Sequence, residues 1–478
     1  MKKKVLIAVA IVLVLVLALT FASQSRKRYL EETYITIADV QYLRDIDTLK
    51  LSAIDEGVTA QLTELANLKQ LDLTEAKITI GQYDALRAAL PNCEIFWKVP
   101  FQGNYLPLDT KSVTVETLSQ SDIKTLAYLP ELEAVDAPAC REYEQLDILQ
   151  ATYPDLAISY TVPIDGTDYP HTTTSLTLEA PELTQLEANL RYLPEVTEVT
   201  LTEEPQDLDT LMRLKELYPQ ITFDYTLTVC GVTVTPDVEE IDLSGIPMTD
   251  TEELERMVKY LPNLKKVIMI DCGISNEEME ALNNRHDDPL FVWTVQIGPL
   301  TYRTDETAFI PVKYHFHMGP VDVKNLRYLT ELIALDVGHM HVNTCEFVRY
   351  MPKLQYLILI DTGIHDISPL EGLKDLIYLE LFVNDIDDYS PLLNLTALED
   401  LNICYTFGDY KIISQMTWLK RLWWTTSRLT EDEIAYIKQC LPNAETNFVT
   451  LSSTGEGWRN GENYFKMRDV FGMGYMTK

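Results

Sequence analysis

The sequence predicts an α/β solenoid with a parallel strand face, helices or short turns on the other face, and β-hairpins inserted in its N-terminal half. Three observations carry that prediction. The first is the pattern L-x-x-L-x-L, which begins at Leu332, Leu354, Leu376, Leu398 and Leu419, with steps of 22, 22, 22 and 21 residues. A fixed period near 22 with this spacing is the mark of a leucine-rich repeat, a unit too small to bury its own apolar side without neighbours. The second is the apolar pair at positions four and six of each copy: Leu335 and Val337, Leu357 and Leu359, Leu379 and Leu381, Leu401 and Ile403, Leu422 and Trp424. Residues two apart on a strand share a face, so both point into the stack. The third is a longer period. Segments ending at Leu68, Leu129, Leu193, Leu261 and Leu329 are one recurring element, spaced by 61, 64, 68 and 68 residues.

Two copies carry more grammar. Thr362-Gly363-Ile364-His365-Asp366-Ile367-Ser368-Pro369-Leu370 is followed by Gly372-Leu373, and Asn384-Asp385-Ile386-Asp387-Asp388-Tyr389-Ser390-Pro391-Leu392 by Asn394-Leu395. This run resembles the repeats of bacterial internalins and the related SDS22-like proteins, over roughly the last quarter of the chain before its tail. The resemblance implies a curved solenoid whose strand face grips another protein. The 61-to-68-residue units and their hairpins depart from that family, as does the lack of a C-terminal wall anchor.

Composition bounds the function. Apolar residues are 46% of the chain, which excludes wholesale disorder. Lys plus Arg number 39 against 73 Asp plus Glu, a formal charge of −34. Such a surface repels nucleic acid and anionic lipid and suits a partner with a basic face. The 7 cysteines stand singly, with no C-x-x-C, which argues against a disulfide framework or a zinc ribbon. Cys140 and Cys272 occupy the turn position of their repeats, where a small polar group bonds the backbone, and read as structural.

In chain order, Lys2, Lys3 and Lys4 precede an uncharged run from Val5 to Ala22. A helix of this length spans the hydrocarbon layer, so residues 1–28 are expected to anchor the chain. The alternative is a signal peptide cut after Ala22. The basic start favours export of the body, although Arg26, Lys27 and Arg28 flank the other end. Residues 29–325 are expected to hold the long double repeats. Repeat strands sit at Leu49 and Leu51 and at Leu71 and Leu73, and Gln82–Leu90 has helical spacing. Hairpin signatures follow: Cys93 to Gly103, Leu156 to Gly166, Ile221 to Gly231 and Phe291 to Gly298 alternate apolar and polar residues up to a glycine. A short strand is expected after each, at Val113 and Val115, Leu176 and Leu178, Ile241 and Leu243, and Pro311 to Tyr314. Residues 326–450 form the regular 22-residue array. Residues 451–478 are too aromatic for a solvated tail and are expected to cap the open end of the stack; the sharper reading is a docking segment.

The strand face supplies the candidate site. Positions three, five and seven of each copy point away from the core. In early copies they are polar: Lys50, Ser52, Gln70, Asp72 and Thr74. In late copies they are Tyr356 and Ile358, Tyr378, Glu380 and Phe382, Asp400 and Asn402, then Arg421 and Trp423. Exposed aromatics and an arginine ringed by polar groups are what protein-binding hot spots use. These nine residues are the expected partner contacts; the competing reading is that the tail folds back and covers them. His315, His317, His339 and His341 could pair across adjacent strands as metal ligands, but short H-x-H pairs near turns are mostly solvated, and neither metal nor cofactor is expected. G-x-S-x-G, H-E-x-x-H, P-loop and G-x-G-x-x-G motifs do not occur. The expectation is therefore a non-enzymatic bacterial surface or envelope protein, anchored or secreted, that binds a protein or peptide. The rivals are a self-associating, homo-oligomeric envelope component and a hydrolase without a recognisable motif.

Overall fold

The N-terminal run forms one helix, Lys2–Thr33, of 32 residues, about 48 Å long at the usual rise. An 18-residue window inside Ala8–Thr33 reaches a mean hydropathy of 2.3, and none of it is covered by the rest of the chain. By length and composition it can cross a membrane, as an anchor or a signal segment, and it runs past the expected end at residue 28. The computed structural model describes residues 2–55, 57–311, 316–449, 452–455 and 457–473. They divide into two compact units, Met1–Asp224 and Tyr225–Lys478.

The first unit is a leucine-rich-repeat array built in blocks. Each block is a hairpin followed by three parallel strands joined by two helix-bearing connections. The hairpin Tyr34–Ile37 with Val40–Leu43 precedes Thr48–Lys50, Gln70–Asp72 and Glu94–Phe96. The hairpin Lys98–Phe101 with Asn104–Pro107 precedes Ser112–Thr114, Ala134–Ala137 and the first half of Ala157–Ile164. The second half of that last strand turns into a hairpin with Thr167–Pro170 and is followed by Ser175–Leu178, Glu198–Leu201 and Thr222–Asp224. Central residues such as Leu71 and Val135 are fully buried while their strand neighbours face solvent or are half-buried. The polar outward residues Lys50, Ser52 and Gln70 are exposed as expected.

The hairpin turns fall at the expected glycines, for a local reason, whereas Glu94–Phe96, Thr222–Asp224 and Leu290–Val292, expected to open the hairpins, pair instead as a third parallel rung of each block. Gln102 and Gly103 have φ of 45° and 79°, Asp165 and Gly166 48° and 75°, and Cys230 and Gly231 49° and 87°. Two consecutive positive φ values make the two-residue turn whose twist matches the flanking strands. The N-terminal hairpin escapes sequence reading because Ala38 and Asp39, at 48° and 62°, make the same turn without a glycine.

The second unit opens with one more block: the hairpin Leu227–Val229 with Val232–Val234, then Glu240–Asp242, Lys266–Ile268 and Leu290–Val292. A hairpin of Thr294–Ile297 with Leu300–Arg303 follows. The regular array is then a seven-rung parallel sheet: Ala308–Phe309, Ala334–Asp336, Tyr356–Ile358, Tyr378–Glu380, Asp400–Asn402, Arg421–Trp423 and Glu445–Asn447. Phe309, Leu335, Leu357, Leu379, Leu401 and Leu422 stand in register and are wholly buried. The strand expected at Pro311–Tyr314 lies instead at Ala308–Phe309, and residues 312–315 fall outside the described ones.

The shorter period changes the outer connection. Ser368–Gly372 and Ser390–Asn394 are five-residue 3-10 turns, each with a proline near its start. The side chains of Asp366 and Asp388 accept from the backbone N–H of Ser368 and Ser390 at 2.8 Å in both cases, which is the physical content of the D-x-S-P-L run. Inside the stack, Asn384 closes the turn of two repeats. Its Nδ2 donates to the carbonyls of Leu359 (2.6 Å) and Leu381 (2.8 Å), and its Oδ1 accepts from the N–H of Thr362 and of Gly363, both at 3.1 Å. In the earlier block Cys272 occupies the same repeat position and its thiol donates to the carbonyl of Leu243 at 3.2 Å. Replacing Asn384 with alanine orphans buried backbone groups on two rungs. It should lower the stability of the array by about 3 kcal/mol, read as a drop in the urea midpoint; an unchanged midpoint would show that these bonds are not holding the rungs.

Candidate functional site: a strand face covered by the C-terminal segment

Outward positions of the late rungs line up in two rows. Tyr356, Tyr378, Asp400 and Arg421 are successive cross-strand partners, and beside them so are Ile358, Glu380, Asn402 and Trp423. Phe382 lies two residues past Glu380 and joins the same apolar cluster. All nine sequence-predicted contact residues therefore meet on one strip.

The expectation that they are exposed does not hold. None is more than 9% accessible, and Tyr378 and Asn402 are at 0%. The reason is the tail. It was expected to cap the open end of the stack; it lies across the strand face instead. Trp458 is wholly buried between Tyr378 and Trp423, with ring centroids 5.3 Å from each. Its indole Nε1–H donates to Glu380 Oε1 at 2.7 Å, and the Tyr378 hydroxyl donates to the same oxygen. The Arg421 guanidinium lies over both indoles, 4.7 Å from the Trp423 ring and 5.0 Å from that of Trp458. Beyond them the helix Glu462–Val470 sets Met467 on the cluster, with Phe471 just past its end.

The strip holds the tail largely by its backbone. Asn402 Nδ2 donates to the Ser453 carbonyl (2.7 Å) and Trp423 Nε1 to the Gly455 carbonyl (3.2 Å). Arg421 donates from Nη2 to the Gly457 carbonyl (2.6 Å) and from Nη1 to the Trp458 carbonyl (2.9 Å). Arg421 is itself fixed by Glu445 Oε2, 3.0 Å from its Nε, and lies 3.5 Å from Asp400 Oδ2. At the margin, Asn463 Nδ2 donates to Glu399 Oε2 at 2.9 Å. Trp458, Asn463 and Glu399 are contact residues that reading the sequence missed; the aromatic composition after Ser453 was the available signal.

Burying this polar strip shifts its acids. Desolvation raises the Glu380 carboxyl, against the Trp458 and Tyr378 hydrogen bonds that favour its ionised form. Desolvation lifts Asp400 to about 6, against the pull of Arg421. Asp336, at the neighbouring outward position two rungs before Glu380, is lifted to about 7 by burial, opposed by the Gly338 N–H.

Among the described residues no group of three or more His, Cys, Asp or Glu could hold a metal ion. His339 and His341 do not share a strand as expected, and His317 lies in no strand. His339 and His341 lie past the rung Ala334–Asp336, in turns with φ of 62° and 46°. His339 Nδ1 stands 3.1 Å from Asp361 Oδ2, and His365 Nδ1 2.9 Å from the Asp385 carbonyl. His315 lies outside the described residues.

No protein-family model matches the sequence, nor does any curated protein. Solved structures do. Internalin C2 from Listeria monocytogenes aligns at 19% identity over 46% of this chain and 76% of its own, with a TM-score of 0.24. A second internalin from that organism aligns at 15% identity over 86% and 91%, with a TM-score of 0.27. A leucine-rich-repeat protein from Leptospira interrogans aligns at 16% identity over 86% and 96%, with a TM-score of 0.25. The α/β leucine-rich-repeat fold of this chain rests on its own rungs: parallel, in register, and in the regular array 21 to 26 residues apart.

The acid shifts make a pH prediction. A carboxyl raised by folding contributes stability that is complete below its unfolded value, about 4, and is lost as pH rises through its folded value. For Asp400 and Asp336 that window runs from pH 4 to about 6 and about 7. Thermal melts between those limits should show the Asp400→Asn variant losing less of its midpoint with rising pH than the wild type. Parallel curves would show that Asp400 does not titrate on folding.

Proposed function

We propose that this chain is a non-enzymatic leucine-rich-repeat protein of the cell envelope, anchored by its N-terminal helix with the repeats outside. In this reading it recognises a protein or peptide segment through the strip of Tyr356, Ile358, Tyr378, Glu380, Phe382, Asp400, Asn402, Arg421 and Trp423. The tail, residues 452–473, is the resident occupant that a partner displaces. One observation carries the reading: four carbonyls of the tail accept from side chains of the strip while a single indole fills its centre. That is how a groove reads a peptide segment, by its backbone plus a side-chain anchor. The titratable groups Glu380, Asp400 and Arg421 are engaged with the tail or with each other, which supports a binding role over a hydrolytic one.

The test is crosslinking capture in intact membranes with the wild type and with Trp458→Ala, which removes the anchor and is expected to cost the tail contact about 3–5 kcal/mol. Capture of a defined partner should rise in Trp458→Ala and fall again when Tyr378→Ala is added. Equal capture by all three chains would reject the strip as the recognition site.

A further inference from the structure

We infer that the strip selects partner segments with the pattern Gly-Trp-x-x-Gly, an indole with glycine immediately before it and glycine three residues after. This rests on the reading of the strip as a peptide groove and adds the partner's chemistry to it.

Each of the three positions is set by a contact. The indole is the anchor: Trp458 is enclosed by Tyr378, Trp423 and the Arg421 guanidinium, and its N–H reaches Glu380. A phenyl ring in its place leaves Glu380 without that donor, and a smaller side chain leaves a void among the aromatics. The preceding residue, Gly457, has φ of +93°, a left-handed conformation that L side chains adopt only with strain. That conformation lets the Gly457 and Trp458 carbonyls both face one guanidinium.

The third position is the most selective. A Cβ on Gly461 would stand 2.0 Å from Arg421 Nη1 and 2.8 Å from its Cζ. Arginine heads usually move aside for such a contact. This one is held by Glu445, by two tail carbonyls and by stacking on two indoles, so yielding would break the grip it provides. The residues between, Arg459 and Asn460, are exposed, so no buried side-chain contact selects them.

Charge points the same way. Residues 29–451 hold 29 basic against 70 acidic residues, whereas residues 452–478 hold 4 basic against 3 acidic. Without Lys478, which lies outside the described residues, the segment on the strip is neutral, with 3 basic against 3 acidic residues, beside a strongly acidic body, and a partner segment should be no more acidic.

The probe is a fluorescein-labelled synthetic peptide with the sequence of residues 452–463, titrated by fluorescence anisotropy against the full chain in detergent micelles. Two further peptides carry Trp458→Ala and Gly461→Ala. The chain is used as wild type and as Trp458→Ala, whose own tail no longer fills the groove. The parent peptide should bind the Trp458→Ala chain at least tenfold tighter than the wild type. The Gly461→Ala peptide should bind that variant at least tenfold more weakly than the parent, and the Trp458→Ala peptide more weakly still. Placing the glycine change in the peptide leaves the folding of the protein untouched. Equal binding of parent and Gly461→Ala peptides would overturn the selectivity while leaving the groove standing. If no peptide binds a Trp458→Ala chain that still melts cooperatively, the selectivity and the groove reading both fall.

Discussion

One arginine holds the second unit's C-terminal end together. Arg421 sits on the sixth rung, where the outward side of a strand ordinarily meets water, yet it is only 9% accessible. It faces two carboxylates, two backbone carbonyls and two indole rings. Burying a guanidinium costs several kcal/mol, which is recovered only where its donors are nearly all matched. That requirement fixes the path of residues 457–461, because the carbonyls that satisfy Arg421 are those of Gly457 and Trp458. The order of the tail and the burial of the strip are therefore one event.

The same constraint explains the composition of the late rungs. A strand face covered by a segment of chain needs shape from aromatics and enough donors to satisfy that segment's backbone. Tyr378, Trp423, Asn402 and Arg421 supply both. The early rungs carry Lys50, Ser52 and Gln70 at equivalent positions, and these remain in solvent. What differs along the array is the occupant of the outward face, while the inward leucines stay constant.

How much of this was legible follows from what periodicity encodes. The 22-residue step names the rungs, and the inward pairs such as Leu357 and Leu359 follow from it. Glycine at the second turn position revealed the hairpins at Gly103, Gly166 and Gly231. The hairpin at Ala38 and Asp39 was hidden because a left-handed turn made by other residues leaves no compositional trace. The nine strip residues were found because period two tells which side chains leave the core. It does not tell what lies over them, since the covering segment is some eighty residues away in sequence from Glu380 and carries no repeat of its own. The aromatic content of the tail was visible, but its destination depends on matching Trp458 to Glu380 and its neighbouring carbonyls to Arg421, which are long-range pairings.

The central claim is that the tail occupies the strip with its indole bonded to a buried acid. The most direct measurement is solvent exchange of indole N–H protons by NMR on the chain labelled with 15N-tryptophan, which has 6 indoles, with Trp458→Phe to assign the signal. The account predicts that the Trp458 indole proton is protected for hours and becomes fast-exchanging in Glu380→Ala. A Trp458 proton that exchanges as fast as one on an unstructured peptide, in the wild-type chain, would contradict it.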